Sequence, residues 1–427
     1  MENNNFRKII GTIRSRIIIF LILVTLITGV FLIFLFSLSS NNVKSIPPEK
    51  PAETLIEKPA LAADTNTENQ KPIFQPPAMV KAIYMTSWSA TKPDYIDYLI
   101  NIAKNTEINS VVVDIKDWSG YVAYNTAVPE VEKYGAESIR IKDIGGLIQK
   151  LHDNGIYVIA RITIFQDPVL AEARPDLAVR SQSKLFFFPL SFLSPASLWL
   201  DRLGLAWIDP AAKEAWDYNV AIAKDALKQG FDELNFDYIR FPSDGDLKDM
   251  IFPLWDRETP RHLIIKEFFK YLRQQLPDAK LSVDLFGLSA SSADDLGVGQ
   301  VIEDAFEYFD YICPMMYPSH YADGFLGFEN PAEYPYQVVY YSTKRASQKL
   351  AAFKQSQKSS AQIRPWLQDF NLRTIYDAPM VRSEIQAVFD ATADNFNGFM
   401  LWSSSNFYTE EALQLENQQI YDKSSNF

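Results

Sequence analysis

From Val80 onward, short apolar runs alternate with longer segments whose apolar residues recur every three or four positions. The runs are rich in valine, isoleucine and aromatic residues, which favours buried strands, whereas the spaced pattern predicts amphipathic helices. The predicted strands are Val80–Thr86, Asn109–Lys116, Ile156–Ile164, Glu233–Arg240, Lys280–Phe286, Asp310–Tyr317, Ile363–Phe370 and Gly398–Trp402. The predicted helices are Pro93–Lys104, Ile144–Asn154, Pro210–Gln229 with Asp209 as its N-cap, Pro260–Gln275, Val298–Phe309, Tyr336–Gln355 and Pro379–Asn395.

Eight strand–helix repeats predict an α/β protein with a (β/α)8 barrel, or TIM barrel, over residues 78–410. Continuous apolar strands suit a parallel sheet that is covered by helices. An open, doubly wound sheet is the alternative, although no glycine-rich phosphate-binding turn follows the first strand. One barrel would account for most of the 427 residues, whereas length alone suggests two or three domains.

A different pattern precedes the barrel. Ile17–Leu38 contains 22 residues without a charge, enough for a helix to cross a bilayer of about 30 Å. Residues 1–16 carry four basic side chains and one acidic side chain, so the positive-inside rule places this stub in the cytoplasm. We expect an uncleaved transmembrane signal anchor at 17–38, since cleaved signal peptides have a shorter apolar region of about 7–15 residues. The chain would then be a single-pass cell-membrane protein with an extracytoplasmic barrel; a cleaved signal is the alternative.

Two further segments flank the predicted barrel. Residues 39–77 hold seven prolines among polar residues and lack a sustained apolar period, so we expect a flexible linker. A linker of this length would span roughly 35 Å as a random chain. Residues 411–427 would form a C-terminal tail.

Composition narrows the classes of function. The chain has 41 basic and 53 acidic residues, a net charge of −12, which argues against a nucleic-acid partner because phosphate binding requires a basic surface. Three histidines and one cysteine, with no His-x-His or HExxH motif, argue against a metal centre. We therefore expect neither a metal nor a cofactor. Aromatic residues make up 14% of the chain, and they suit sugar faces as well as protein cores.

The active site of a (β/α)8 barrel lies at the C-terminal ends of its strands. Aromatic side chains there could stack on sugar rings, while carboxylates and guanidinium groups could bond to hydroxyls. The candidate substrate-binding residues are Trp88, Asp114, Arg161, Arg240, Tyr317, His320, Asp369 and Trp402. Each also has a structural interpretation: Arg161, for example, could simply pair with Asp114 or Asp237.

Several segments of this region resemble a known family of domains. They are VVVDIKDWSGYVAY (Val111–Tyr124), ARITIFQDP (Ala160–Pro168), the long run Gly204–Gly245 with its signature FDYIRFPSDG, VDLFG (Val283–Gly287) and CPMMYPSHY (Cys313–Tyr321). Over about Val80–Tyr408 the chain is similar to the putative glycoside hydrolase domain family formerly called DUF4015. The resemblance implies a glycosidase-like barrel and hydrolysis of O-glycosidic bonds. Phe186–Ser197 departs from the family pattern as an apolar insertion, which could be a lid, a partner surface, a membrane contact or ordinary packing.

Glycosidases generally use two carboxyl groups that flank the scissile bond. Asp237 is the first catalytic candidate because a charge on an apolar strand is costly unless it is used or paired, and Arg240 could keep it ionised. Asp284, on the next strand, is the second, and a closed site near Phe286 would raise its pKa for proton donation. The structural interpretations are an Asp–Arg pair bracing the rim and a rim hydrogen-bond acceptor. Asp369 would be the third carboxylate by analogy with α-amylase-type barrels.

Two functions of different class follow from these patterns. The first is a membrane-anchored, extracytoplasmic glycoside hydrolase that cleaves an envelope or extracellular polysaccharide by two-carboxylate acid/base catalysis. The second is a catalytically silent barrel that binds glycans or organises the cell surface. The carboxylates at the predicted strand ends favour the enzyme.

Overall fold

The structure, a computed structural model, describes residues 77–187 and 194–413. The expected stub (1–16), the membrane segment (17–38), all but the last residue of the linker (39–77) and the tail from residue 414 lie outside these ranges. Positions 188–193, in the middle of the apolar insertion, lie outside them as well. Within the ranges described, no helix combines the length and the apolar character needed to cross a bilayer.

Eight parallel strands form a closed barrel. They are β1 (Val80–Met85), β2 (Ser110–Lys116), β3 (Tyr157–Thr163), β4 (Glu233–Asp237), β5 (Leu281–Phe286), β6 (Tyr311–Met315), β7 (Gln362–Ile363 with Trp366–Gln368) and β8 (Gly398–Trp402). Each strand pairs with the next in chain order, and β1 also pairs with β8. This last pairing closes the sheet, so the predicted barrel is confirmed and the open sheet is excluded.

Helices connect successive strands and cover the outside of the barrel. They are α1 (Pro93–Asn105), α2 (Ile144–His152), α3 (Lys213–Gln229), α4 (Arg261–Gln275), α5 (Ile302–Ala305), α6 (Pro335–Ser356) and α7 (Ala378–Thr392). Shorter helices lie in the connections after β2 and β3, at Pro129–Lys133, Pro168–Ala173 and Gln182–Phe187. The strands are almost completely buried, because one face meets the barrel interior and the other meets these helices.

The predicted N-cap of α3 is wrong. The helix begins at Lys213, and Asp209 is buried four residues before it. The Asp209 carboxylate instead accepts hydrogen bonds from the backbone N–H groups of Leu254 (2.8 Å) and Trp255 (2.9 Å). Asp209 therefore fastens the loop after β4 to the start of α3. The other end of the helix is as predicted, since Gly230 takes a left-handed φ of 107° just past the last turn.

Other elements differ from the prediction in their bounds. β4 ends three residues early, at Asp237, because Tyr238 adopts a left-handed φ of 55°. β7 is interrupted at Pro365, which cannot donate a backbone hydrogen bond. The fifth predicted helix is reduced to the four residues of α5. Two short strands after β2 were not predicted. Val122–Tyr124 pairs antiparallel with β2, and Glu137–Ile141 pairs with Val122–Tyr124 and so extends the sheet.

The barrel interior is packed below the strand ends. At the N-terminal ends of the strands, Arg364 and Glu233 form an ion pair in which both side chains are fully buried. Side chains from several strands fill the middle: Ala82, Val112, Ile159, Cys313 and Met400. Closure of the sheet depends on Gly398, where a Cβ would lie 1.9 Å from the Val80 carbonyl oxygen and φ is 90°. This packing leaves the C-terminal ends of the strands as the place for a site.

Candidate active site

One guanidinium group lies at the centre of an acidic cluster. Arg161, on β3, donates from Nη1 to Asp114 Oδ1 (2.5 Å) and from Nη2 to Asp237 Oδ2, and its Nε lies 3.7 Å from Asp284 Oδ2. The four residues come from the consecutive strands β2, β3, β4 and β5. Burial disfavours the Arg161 charge, but Asp114 and Asp237 outweigh it and raise the Arg161 pKa well above its usual value. Arg161 is therefore a permanent cation that holds the carboxyl groups in place.

Asp284 is a buried carboxyl group with a perturbed titration. Its side chain is 1% exposed, and its Oδ1 accepts hydrogen bonds from Asn235 Nδ2 (2.8 Å) and Trp366 Nε1 (2.7 Å). Burial, followed by the charge of Asp237, raises the pKa of Asp284 from 3.8 to about 8. Asp284 is then protonated at neutral pH. Because two N–H donors already occupy Oδ1, the proton is expected on Oδ2.

Asp237 has the opposite environment. Its Oδ1 accepts from the Tyr238 backbone N–H at 2.5 Å, and its Oδ2 accepts from Arg161. A carboxyl group that accepts from N–H donors on both oxygens is suited to the anionic form. The Tyr238 N–H can reach Oδ1 because the chain turns into the left-handed region directly after Asp237. Such a conformation costs about 1–3 kcal/mol for a non-glycine residue and clusters at functional sites.

Asp114 lies behind these two carboxyl groups. It is almost completely buried, and its second oxygen accepts a hydrogen bond from the Tyr84 hydroxyl. Burial raises the pKa of Asp114, although Arg161 acts against this shift. Asp114 is therefore a partner of Arg161, as the structural interpretation of Arg161 expected.

A cavity of about 450 Å³ opens beside the acidic cluster. Its lining residues are Arg161, Asp237, Tyr238, Arg240, Asp284, Phe286, Gly287, Leu288, Met315, Tyr317, His320, Tyr321, Trp366 and Trp402. Seven of the ten site residues predicted from the sequence are in this set. Asp114, Asp369 and Trp88 are not. The cavity thus combines a protonated carboxyl group, Asp284, and a second carboxyl group that accepts from N–H donors, Asp237, with a largely apolar wall. A mostly apolar lining with a few polar groups is the usual character of a small-molecule site.

Aromatic rings form one side of the cavity. The Tyr317 and Trp402 ring centroids are 5.7 Å apart, and Phe370 packs edge-on against Trp402 at 5.0 Å. The His320 ring lies 5.4 Å from Tyr317, and burial lowers the pKa of His320, so its imidazole is neutral at pH 7. These rings can stack on the apolar face of a sugar, and the Tyr317 hydroxyl can donate to an oxygen.

Arg240 lines the cavity without the partner expected for it. The sequence suggested a pair with Asp237, but the Asp237 carboxylate is bound by Arg161 instead. Arg240 Nη1 donates to the Phe241 carbonyl oxygen (3.2 Å) and to Ser243 Oγ (3.1 Å). The expected Arg240–Asp237 pair is therefore wrong, because β4 ends at Asp237 and Arg240 lies in the following loop.

Asp369 and Trp88 have other surroundings. Asp369 accepts hydrogen bonds from the Thr409 backbone N–H (2.9 Å) and the Thr409 hydroxyl (2.7 Å), which fastens the segment after β8 to the end of β7. Trp88 is 61% exposed, and the guanidinium of Arg140 lies 4.6 Å from its ring centroid. The third carboxylate suggested by the α-amylase analogy is therefore absent from the lining of this cavity.

Sequence reasoning missed the residues that support the carboxyl groups. Asn235 and Trp366 donate to Asp284, and Tyr84 donates to Asp114. Asn235 could have been found, since it lies two residues before Asp237 on the same face of a strand. Tyr84 carried no such signal, because an aromatic residue within an apolar strand is ordinary core composition. Trp366 stands near the end of the seventh predicted strand, but it was not chosen as a site residue. Within the described residues, no group of three or more His, Cys, Asp or Glu side chains is placed to hold a metal ion.

Several solved structures are similar to this chain. A hypothetical protein from Ruminiclostridium thermocellum is 37% identical; the match covers 51% of this chain and 98% of that one, with a TM-score of 0.42. The Thermus thermophilus α-galactosidase TtGalA, solved with stachyose, is 13% identical over 79% of this chain and 64% of its own, with a TM-score of 0.47. The glycoside hydrolase domain of PelA from Pseudomonas aeruginosa is 12% identical over 78% and 97%, with a TM-score of 0.38. Among curated proteins there was no match.

A family model described as "Putative glycosyl hydrolase domain" matches residues 82–408. The match takes in nearly the whole barrel and every residue that lines the cavity. It also includes all five sequence segments that resemble the family, from Val111 to Tyr321. The chain therefore belongs to the "Putative glycosyl hydrolase domain" family, and its barrel is of the glycosidase type.

Proposed function

We propose that this protein is a membrane-anchored, extracytoplasmic glycoside hydrolase that cleaves an envelope or extracellular polysaccharide. The observation that supports this most is a pair of carboxyl groups that line one cavity in different surroundings. Asp284, with a pKa raised to about 8, carries a proton at neutral pH, while Asp237 accepts hydrogen bonds on both oxygens as an anion would. Glycosidases set acid and base roles by this kind of separation.

In the proposed reaction, Asp284 Oδ2 donates its proton to the glycosidic oxygen as the bond to the anomeric carbon breaks. Asp237 acts on the anomeric carbon as a nucleophile, or activates the water that attacks it. Arg161 keeps the two carboxyl groups on either side of one guanidinium. Water supplies the hydroxyl of the new reducing end and returns the proton to Asp284.

The remaining cavity residues would bind the sugar. Tyr317, His320 and Trp402 provide the aromatic wall and polar donors, while Arg161 and Arg240 provide guanidinium groups. Asp114, through its hydrogen bond to Arg161, would position the catalytic carboxylates rather than touch the sugar. Trp88, exposed outside the cavity, is proposed to contact a more distant sugar of the polysaccharide.

The test is hydrolysis by the full chain against a panel of envelope and plant polysaccharides, measured as released reducing ends. Asp237→Asn and Asp284→Asn should each abolish release while circular dichroism stays unchanged. Asp369→Asn is the matched control, because this buried aspartate also follows a barrel strand but does not line the cavity. Undiminished hydrolysis by Asp237→Asn would overturn the catalytic assignment.

The membrane anchor is supported by sequence pattern, namely the 22 uncharged residues of Ile17–Leu38 after a basic stub. Carbonate extraction and protease accessibility of intact cells test it directly. The chain should stay in the membrane fraction with an intact N-terminus, and its barrel should be cleaved from outside. Recovery of a chain that starts after residue 38 would show a cleaved signal instead.

A silent glycan-binding barrel is the second candidate. The observation that favours it is that both oxygens of Asp237 are already bound, by Arg161 and the Tyr238 N–H, before any substrate is present. A binder would release no reducing ends from any polysaccharide, and would still retain glycan after Asp237→Asn and Asp284→Asn are combined.

A further inference from the structure

Arg240 is a buried cation that faces the cavity without a carboxylate partner in the described residues. Three aromatic rings surround its guanidinium. The distances from the guanidinium carbon to the ring centroids are 4.7 Å for Trp207, 4.8 Å for Phe286 and 5.2 Å for Tyr238. The residue is only 8% exposed, yet it lines the cavity. Of its nitrogens, only Nη1 donates a hydrogen bond within the described chain, so Nε and Nη2 are left without one.

Three other buried cations of this barrel are paired with carboxylates. Lys116 Nζ lies 2.8 Å from Asp167, and Arg161 and Arg364 each contact at least one carboxylate. Arg240 differs, since aromatic faces replace the carboxylate. A cation over an aromatic ring gains part of what it loses on leaving water, but a buried charge without an anion remains costly.

The two nitrogens without a bond have a particular geometry. Nε and one Nη of a guanidinium lie along one edge, where they can bind two oxygens of a carboxylate or a phosphate at once. Three aromatic rings surround the Arg240 guanidinium and Nη1 is already hydrogen-bonded, so less side-chain entropy is lost when the group binds an anion. Burial lowers the pKa of Arg240, in agreement with a charge that its surroundings do not fully compensate.

We propose that Arg240 binds the acidic group of an anionic sugar, so that the substrate is a glycan whose units carry a carboxylate or a phosphate. That the anionic sugar is a substrate rests on the proposed function. Its binding, however, can be measured without any hydrolysis. The cavity can accept such a charge. Arg161 contacts both Asp114 and Asp237 there, Arg240 supplies a second positive charge, and Asp284 carries its proton at neutral pH.

The experiment measures sugar binding by calorimetry with the full chain in detergent. The probes are D-glucuronate, D-glucose 6-phosphate and neutral D-glucose. At least one anionic probe should bind about tenfold or more tightly than glucose, since hydrogen bonds between charged partners have this strength. Preference for glucuronate would identify a uronic acid, and preference for the phosphate a phosphorylated glycan.

Two variants assign the preference to Arg240. Arg240→Gln should bring the anionic probes to the affinity of glucose, and Arg240→Lys should restore part of the preference. Arg261→Gln is the matched control, because Arg261 also lies over two aromatic rings, Phe241 and Trp255 (5.2 Å each), but does not line the cavity. It should keep the full preference.

Three outcomes would overturn the inference: equal affinity for charged and neutral sugars, no binding of either anion, or a preference that survives Arg240→Gln. Its failure is distinct from failure of the proposed function. Cleavage of a neutral polysaccharide by a protein without the anion preference would overturn this inference alone. An Arg240-dependent preference in a protein that cleaves no glycan would overturn only the hydrolase.

Discussion

Replacing Asp284 with asparagine should stabilise the fold while it removes the proton donor. Burial and the charge of Asp237 raise the pKa of Asp284 from 3.8 to about 8 in the folded chain. Between these two values the folded state binds a proton that the unfolded state has released, so the free energy of unfolding falls as pH rises. At pH 7 the difference is about three pKa units, or ~4 kcal/mol at 1.36 kcal/mol per unit.

Asparagine avoids this cost because it does not ionise in either state. It has nearly the same shape, and its oxygen can still accept from Asn235 and Trp366 in the place of Oδ1. The stabilising effect should therefore be near zero at pH 4 and grow by about 1.4 kcal/mol per pH unit. It should level off above pH 8.

The assay is urea-induced unfolding of the full chain at several pH values between 4 and 9, followed by tryptophan fluorescence. Asp176→Asn is a control of opposite sign, because a hydrogen bond from Arg174 lowers the pKa of Asp176. That variant should lose stability by nearly the same amount at every pH from 5 to 9, because the stabilisation by the Asp176 carboxylate is lost only below about pH 3.8. If Asp284→Asn is no more stable relative to the unmodified chain at pH 8 than at pH 5, the buried protonated carboxyl is refuted.

Three further predictions concern the pH profile and the backbone. In the unmodified chain, kcat/KM for glycoside cleavage should decline above about pH 8, where Asp284 loses its proton; a profile that is flat to pH 10 would contradict this. Trp366→Phe removes a hydrogen bond that lowers the pKa of Asp284, so the decline should move to higher pH; a shift to lower pH would refute that role. Gly398→Ala should lower the melting temperature far more than Gly324→Ala, because both glycines have positive φ but only Gly398 has an atom 1.9 Å from the added Cβ; equal losses would show that the backbone gives way there.

Much of the fold was predictable because its strands are apolar along their whole length. Each of the eight barrel strands was found, and β8 has the predicted bounds. The ends of strands were less predictable, because they depend on individual backbone angles. Tyr238 shows this: nothing in FDYIRFP indicates a left-handed residue, yet that residue ends β4 and brings an N–H to Asp237.

The site was predictable where its residues lie on strands of the barrel. Asp237 and Asp284 lie on adjacent strands with side chains on the inner face, so their proximity followed from the barrel. Arg240 and Asp369 depend on loops, whose paths the pattern does not determine. Because β4 ends earlier than predicted, Arg240 does not lie beside Asp237. Asp369 accepts a hydrogen bond from Thr409, which comes 40 residues later in the chain.

The most direct test of the central claim, that Asp284 donates a proton while Asp237 acts as the carboxylate, is the dependence of cleavage rate on the leaving group. Phenyl and 2,4-dinitrophenyl glycosides of the sugar cleaved in the polysaccharide panel differ in their need for a proton, because dinitrophenolate leaves without one. The cleavage rate of Asp284→Asn should fall about 10²–10⁴-fold on the phenyl glycoside and far less on the dinitrophenyl glycoside. Asp237→Asn should lose activity on both substrates. Equal losses of Asp284→Asn on the two substrates would contradict the account.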